Sequence, residues 1–264
     1  MMSRYFLEVT YKGTRYAGFQ VQQNADTIQG EIDKALSVLL KIPLKTTGSS
    51  RTDTGVHACQ NYLHFDTALP LPPHLKYQLN AILSPDIAVQ AIYAVTDKAH
   101  ARFTALSRSY QYRIYRYKDP FRRETGYYFP YRLEESMLHQ TAAMICGHTD
   151  FASFSKRNTQ VKTFHCNIMK AAWKCSPDEY IFEITANRFL RGMVRGLVGT
   201  MLKAARCKIT LQEFRQILIA RDNIRTDFSA PPQGLFLMEV CYPEGLLKPD
   251  NRSDPVTSRR GNEM

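Results

Sequence analysis

Ser49-Ser-Arg-Thr-Asp-Thr-Gly-Val-His-Ala-Cys-Gln-Asn-Tyr-Leu-His-Phe65 begins as a loop and ends as a strand. Small and hydroxylated residues from Gly48 to Thr54 favour a turn over a helix or a strand. From Val56 to about Phe65 the residues are those of a strand. Asp53 is therefore carried on a turn at the mouth of a sheet, with Arg51 two residues before it and Gly55 two after. Loops on a rigid frame are where catalytic groups are often held. A surface carboxylate closing an Asx-type turn is the plainer alternative, and the rest of the chain decides between them.

Towards the N-terminus, Arg4–Tyr11 alternates, with Tyr5, Leu7, Val9 and Tyr11 on one face, and Lys12-Gly13 ends that strand. After a loop containing Tyr16, Gly18 and Phe19, Asp26 is expected to cap a helix with Gln29 completing a capping-box-like pair. Ile28, Ile32, Ala35, Leu36, Leu39 and Leu40 give that helix one apolar face. A short strand near Leu44–Thr47 leads into the Asp53 loop. Beyond it, Pro70, Pro72 and Pro73 precede a second helix over His74–Leu83, and Ile87–Val95 closes the unit as a strand. The order is β-α-β-β-α-β, that of a split βαβ unit.

The second half repeats the plan with insertions. Strands are expected over Tyr110–Lys118, Asn167–Cys175, Tyr180–Ala186 and Leu235–Tyr242, and helices over Leu133–Cys146, Arg188–Arg206 and Leu211–Ala220. The expected fold class is α+β: two ferredoxin-like halves joined into one mainly antiparallel central sheet, helices packed on it, and a cleft between the halves. The first half spans 1–98 and carries the Asp53 loop, 99–108 is a connector, 109–245 the second half, and 246–264 a disordered tail poor in apolar residues.

Composition narrows the function. The net charge is +11 and the pI near 9.4. The tail is nearly balanced in charge, so the excess lies on the folded body and points to a polyanionic partner. Six cysteines form no Cys-x-x-Cys pair and seven histidines are scattered, which fits reduced thiols and gives no reason to expect a metal. No long apolar run suggests a membrane span, and the first apolar stretch is interrupted by charge, so a cytoplasmic location is the default expectation.

Two regions hold candidate chemistry besides Asp53. Over Ala99–Arg132, eight arginine and lysine residues stand against Asp119 and Glu124, interleaved with Phe103, Tyr110, Tyr112, Tyr115, Tyr117, Phe121, Tyr127, Tyr128, Phe129 and Tyr131. Cations that neutralise phosphates beside rings that stack on bases suit RNA, although some of these rings belong to the core. Within the expected helix 188–206, Arg188, Arg191 and Arg195 at i, i+3 and i+7 share one face with no acidic residue to pair them. Gly192, Gly196 and Gly199 lack the Gly-Lys-Ser/Thr of a phosphate loop, so close helix packing explains them better. Asp53-Thr54-Gly55 also spells the aspartic-protease tripeptide, but that chemistry needs a second such carboxylate and none is present.

Arg51-Thr-Asp-Thr-Gly-Val-His-Ala58 resembles the Gly-Arg-Thr-Asp-Ala-Gly-Val-His motif of the tRNA pseudouridine synthase A family. The resemblance extends through Tyr11–Gln20, His100–Phe103, Arg108–Arg113, Asp150–Phe154, Asn187–Arg195 and Gly234–Leu237, and so spans the chain to about Tyr242. It departs at Ser50 and Thr54, where glycine and alanine are usual; both are small. The resemblance implies a homodimer that isomerises uridine to pseudouridine at positions 38, 39 and 40 of the tRNA anticodon arm, without cofactor or metal. Asp53 would be the nucleophile, and Tyr110 would stack on the target base, with or without taking its C5 proton. Arg195 would pair with Asp53, Arg51 would hold the flipped nucleotide, and Leu235 would line the pocket. Arg188 and Arg191 would add substrate-binding charge. The rival reading is a non-catalytic RNA-binding protein on the same basic sheet; binding alone does not require Asp53, Tyr110 and Arg195 together.

Overall fold

In order along the chain, the elements are β1 (Ser3–Tyr11), α1 (Ile28–Leu40), β2 (Thr47–Gly48), β3 (His57–Thr67), α2 (Leu75–Ile82), β4 (Ile87–Val95), β5 (Ser107–Tyr115), β6 (Tyr127–Tyr128), α3 (Glu135–Cys146), β7 (Ile168–Cys175), β8 (Glu179–Ala186), α4 (Met193–Ala205), α5 (Leu211–Ile219), β9 (Leu235–Cys241) and β10 (Lys248–Pro249). The computed structural model describes residues 2–156 and 161–249. The fold is α+β with mostly antiparallel strand pairing. Among the described residues the chain divides into two units, one of 2–54, 58–106 and 240–249, the other of 55–57, 107–156 and 161–239.

In the first unit β1 is the central strand. It pairs antiparallel with β3, Leu7 opposite Leu63, and with β4, Leu7 opposite Ile92. The register on β3 shifts between Val9 and Tyr11; a bulge of this kind increases local twist and re-aims side chains. β2 pairs with β3, and β10 adds to the outer side of β4. Residues 250–264 of the expected tail lie outside the described residues. The face of β1 bearing Leu7, Val9 and Tyr11 is buried as the alternation requires, and Phe6 on the other face is buried too, packed edge-on against Tyr242.

Helix α1 starts one residue later than expected. Thr27, not Asp26, is the cap, its Oγ1 accepting from the Gly30 N–H at 3.2 Å. Gln29 does not close a capping box; its Nε2 donates to the Thr46 carbonyl at 2.6 Å. Asp33 Oδ1 accepts from both the N–H and the hydroxyl of Thr46, at 2.9 and 2.7 Å. Burial raises the Asp33 carboxyl above its ordinary range despite those two bonds. The helix thereby clamps the segment that enters β2 and the Asp53 loop.

In the second unit β5 pairs antiparallel with β8, Tyr110 opposite Ile184 and Tyr112 opposite Phe182, and β7 pairs antiparallel with β8. The two-residue β6 runs parallel to β5, and β9 lies beside β5. Helices α3, α4 and α5 enclose a core that includes Tyr112, Phe182, Leu138, Leu197, Met201 and Phe214.

The expected helix over 188–206 is corrected to Met193–Ala205. Gly192 sits at its N-cap with φ +75°, a left-handed conformation that ends any helical path arriving from Arg188. Arg188 and Arg191 therefore precede the helix, and the three arginines do not share one helical face. Glycine packing within α4 follows the expectation. A Cβ at Gly199 would run into the Asp227 carbonyl oxygen, and one at Gly196 would meet the Phe228 ring at 2.9 Å. Thr200 Oγ1 accepts from the Asp227 N–H at 3.1 Å. These contacts lay the chain from Thr226 onwards along α4.

Candidate active site

The Asp53 loop is built in the first unit from buried polar groups. Tyr11 Oη and Thr52 Oγ1 stand 2.8 Å apart, and Asn61 Nδ2 donates to that Tyr11 oxygen and to the Ser50 carbonyl, both at 3.1 Å. Ser49 Oγ donates to Asn61 Oδ1 at 2.7 Å, and the Phe19 N–H donates to the Thr52 carbonyl at 3.1 Å. Ser49, Ser50, Thr52 and Asn61 are all buried, so each bond is made in a setting where leaving it unmade would be costly. Asp53 is half-buried in the middle of this frame, and Arg51 is exposed.

Gly18 backs the loop from behind. Its φ is +99°, and a Cβ there would stand 3.1 Å from the Thr52 carbonyl oxygen and 3.2 Å from the Thr54 nitrogen. Only glycine fits both the backbone angle and the close approach. Gly55, two residues after Asp53 and itself at φ +77°, belongs to the second unit, where a Cβ would press on Pro232.

The second unit holds the other expected site residues. Arg195, in the first turn of α4, donates from Nε to the Ala230 carbonyl at 2.7 Å, which sets the plane of its guanidinium. One residue on, the Pro231 carbonyl accepts from Tyr112 Oη at 2.7 Å, and Gly234 lies against the Tyr112 ring. Burial raises the Tyr112 phenol well above its usual range, with Tyr127 adding to the rise and Arg195 opposing it. Leu235, buried, follows directly as the first residue of β9.

Tyr110 is half-buried two residues before Tyr112 on β5, its ring edge-to-face with Phe189 at 5.0 Å. The structure thus gathers Arg195 and Leu235 about one element, the turn at 230–235, and Tyr112, two residues after Tyr110 on β5, bonds to the same turn. Arg188 is half-buried and Arg191 exposed in the segment before α4, where the Arg191 carbonyl accepts from the Lys156 N–H at 3.0 Å.

Sequence reasoning overlooked Asn61 and Ala230. Asn61 sat unmarked inside a strand run, where an amide with low strand propensity was the available signal. Ala230 acts only through its backbone, for which a side chain gives no sign. Among the described residues no group of His, Cys, Asp and Glu is arranged to hold a metal ion, and no helix is long and apolar enough to cross a membrane.

Comparison with known proteins bears on the same residues. The profile of a family described as tRNA pseudouridine synthase matches residues 141–243. A Parabacteroides distasonis protein named tRNA pseudouridine synthase A is 42% identical over 248 residues, covering 93% of this chain and 98% of that one. Proteins of the same name from Porphyromonas gingivalis and Bacillus subtilis are 38% and 39% identical, covering 93% and 89% of this chain and 100% and 97% of their own lengths. The chain belongs to the tRNA pseudouridine synthase A family.

Proposed function

We propose that this chain isomerises uridine to pseudouridine in tRNA, at positions 38, 39 and 40 of the anticodon arm, with Asp53 as nucleophile. The net change breaks the N1 glycosidic bond and re-forms it at C5; C5 gives up its proton and N1 takes one up, so the product is an isomer of the substrate and no cofactor is called for. The observation that carries this reading is the pinned Asp53 loop: hydrogen bonds to Ser50 and Thr52 fix the backbone leading into Asp53, Gly18 packs against Thr52 and Thr54, and Asp53 itself stays half-buried. Pre-organised placement of this kind lowers the entropy cost of attack.

The remaining roles follow the family resemblance. Arg195 pairs with the Asp53 carboxylate; its charge cannot be lost, and its planar fork fits a carboxylate. In support, Gly55, two residues after Asp53, packs on Pro232, and Pro232 comes two residues after the Ala230 carbonyl that orients Arg195. Tyr110 stacks on the flipped base, Leu235 lines the pocket and Arg51 holds the flipped nucleotide out of the stack, while Arg188 and Arg191 add substrate-binding charge. Base flipping costs a few kcal/mol, roughly what stacking and phosphate contacts return.

The finer architecture belongs to the same proposal. Each half is ferredoxin-like, and the enzyme works as a homodimer. The first unit's strand order β4-β1-β3-β2 supports the ferredoxin-like part. The test is release of tritium from tRNA labelled at uridine C5. Release that requires Asp53 supports the assignment; binding of tRNA without release would favour the non-catalytic RNA-binding reading.

A further inference from the structure

Phe121 is 92% exposed and Tyr117 64% exposed. One exposed ring needs no explanation, but two within five residues of each other, among cations, do. They flank Lys118 in a turn that also carries Arg116, Arg122 and Arg123, against Asp119 and Glu124.

The turn is held rigidly. Asp119 caps it, its Oδ1 accepting from the Phe121 N–H at 2.9 Å, and Pro120 fixes the first position of the short 3-10 segment Pro120–Arg122. Arg122 is ion-paired with Glu179 and lies over the Tyr115 ring at 5.1 Å. Arg116 donates to the Pro177 carbonyl at 3.0 Å and lies over Tyr180 at 5.7 Å. Two of the four cations thus anchor the turn to β5 and to the β7–β8 connection. Lys118 and Arg123 stay exposed beside the two rings. The arrangement presents aromatic faces and positive charge without a packing role for either, at little further ordering cost to a partner.

We propose that this turn is a contact surface for the tRNA substrate, separate from the catalytic residues, in which Phe121 stacks on an unpaired base while Lys118 and Arg123 lie against phosphates. Charge selects RNA over a second copy of the chain, since two such turns brought together would set cation against cation. A stacked base tolerates any sequence because every base has a π-face, so the surface adds affinity rather than choice of uridine. The inference rests on the reading of the chain as a tRNA enzyme.

The test uses the full chain with Phe121→Ala, Phe121→Leu and Phe121→Trp, together with a Lys118→Ala/Arg123→Ala double variant. tRNA affinity is read by fluorescence anisotropy across a salt series, and KM and kcat by tritium release. Phe121→Ala and Phe121→Leu are expected to raise Kd and KM about 5- to 20-fold with kcat within about twofold, and Phe121→Trp to stay near wild type. The double variant is expected to flatten the slope of log affinity against log salt by more than about one unit. Unchanged affinity in Phe121→Ala, an unchanged slope in the double variant, or Leu serving as well as Trp would overturn the proposal. So would loss of self-association on sedimentation with tRNA affinity intact, which would mark a surface for a second copy. Anisotropy needs no turnover, so weaker binding by Phe121→Ala supports the surface even if the wild-type chain releases no tritium, a result that would sink the catalytic reading alone.

Discussion

Tyr11 Oη lies 2.8 Å from Thr52 Oγ1, and the same oxygen accepts from Asn61 Nδ2 at 3.1 Å. A residue at the end of β1 thereby fixes the backbone immediately before Asp53. Tyr11→Phe keeps the ring but leaves the buried Thr52 hydroxyl and one Asn61 proton without this partner. Loss of such a partner costs about 1–3 kcal/mol, and a small displacement next to the nucleophile costs rate as well. The expected outcome is a thermal midpoint lower by several degrees and a kcat lower by about tenfold. A variant with wild-type kcat would show that this bond serves stability alone.

Gly18→Ala tests the same loop from its other side. The left-handed φ strains any side chain there, and the new methyl would meet backbone atoms of Thr52 and Thr54, which cannot swing away as a flexible side chain can. The strain is expected to cost about 1–3 kcal/mol, with pseudouridine formation falling more steeply than stability because the collision is with the residues flanking Asp53. Tritium release and thermal melts on the same preparation separate the two effects. Full activity together with a lowered melting midpoint would contradict the argument.

How far these features could be read from the amino acids depended on where the information lay. Ile87–Val95 was legible to the residue because alternation of apolar side chains is a local signal. The start of α1 was not, since Asp26 and Thr27 are both good caps and only tertiary bonds choose between them. The arginine helix misled because Arg188, Arg191 and Arg195 keep helical spacing across Gly192, whose left-handed backbone, with the Lys156 side chain packed against it, breaks the helical path. Asp53 and Arg195 were legible through motifs. The carbonyls of Ala230 and Pro231, which orient Arg195 and Tyr112, were not, because backbone groups carry no residue identity.

A buried histidine gives the first unit a pH dependence. His64 is pushed down to about 4, chiefly by burial, with His100 and Arg4 adding to the shift and Asp66 opposing it. Its Nδ1 accepts from the Ala101 N–H at 3.2 Å, a bond that the protonated ring cannot accept. The unfolded chain takes up this proton near pH 6.5, well above the folded protein. Stability is therefore fully present above about pH 6.5, falls as the pH drops towards 4 and levels off below. Between pH 7 and pH 5 the loss is about 2 kcal/mol. Urea denaturation at the two pH values should show it, and His64→Asn, which retains an acceptor, should show a clearly smaller loss. Equal losses in both proteins would assign the dependence to other groups.

Asp53→Asn and Arg195→Lys separate the nucleophile from the charge that supports it. Asparagine has nearly the shape of aspartate, so the loop held by Tyr11, Asn61 and Gly18 should persist, and removal of a negative charge favours the polyanionic substrate. Pseudouridine formation is expected to vanish while tRNA affinity is kept or improved. Arg195→Lys retains a positive charge and an apolar stem, so the fold should stand. An ammonium, however, cannot hold the Ala230 carbonyl from Nε and present a planar fork in the same pose. Its kcat is expected to fall about 100-fold with KM nearly unchanged, since misplacement by about 1 Å near the chemistry costs that much. Turnover by the purified Asn variant would remove Asp53 from the nucleophile's role. A near-normal kcat in the Lys variant would leave Arg195 only its charge and make the guanidinium geometry set by Ala230 irrelevant to the reaction.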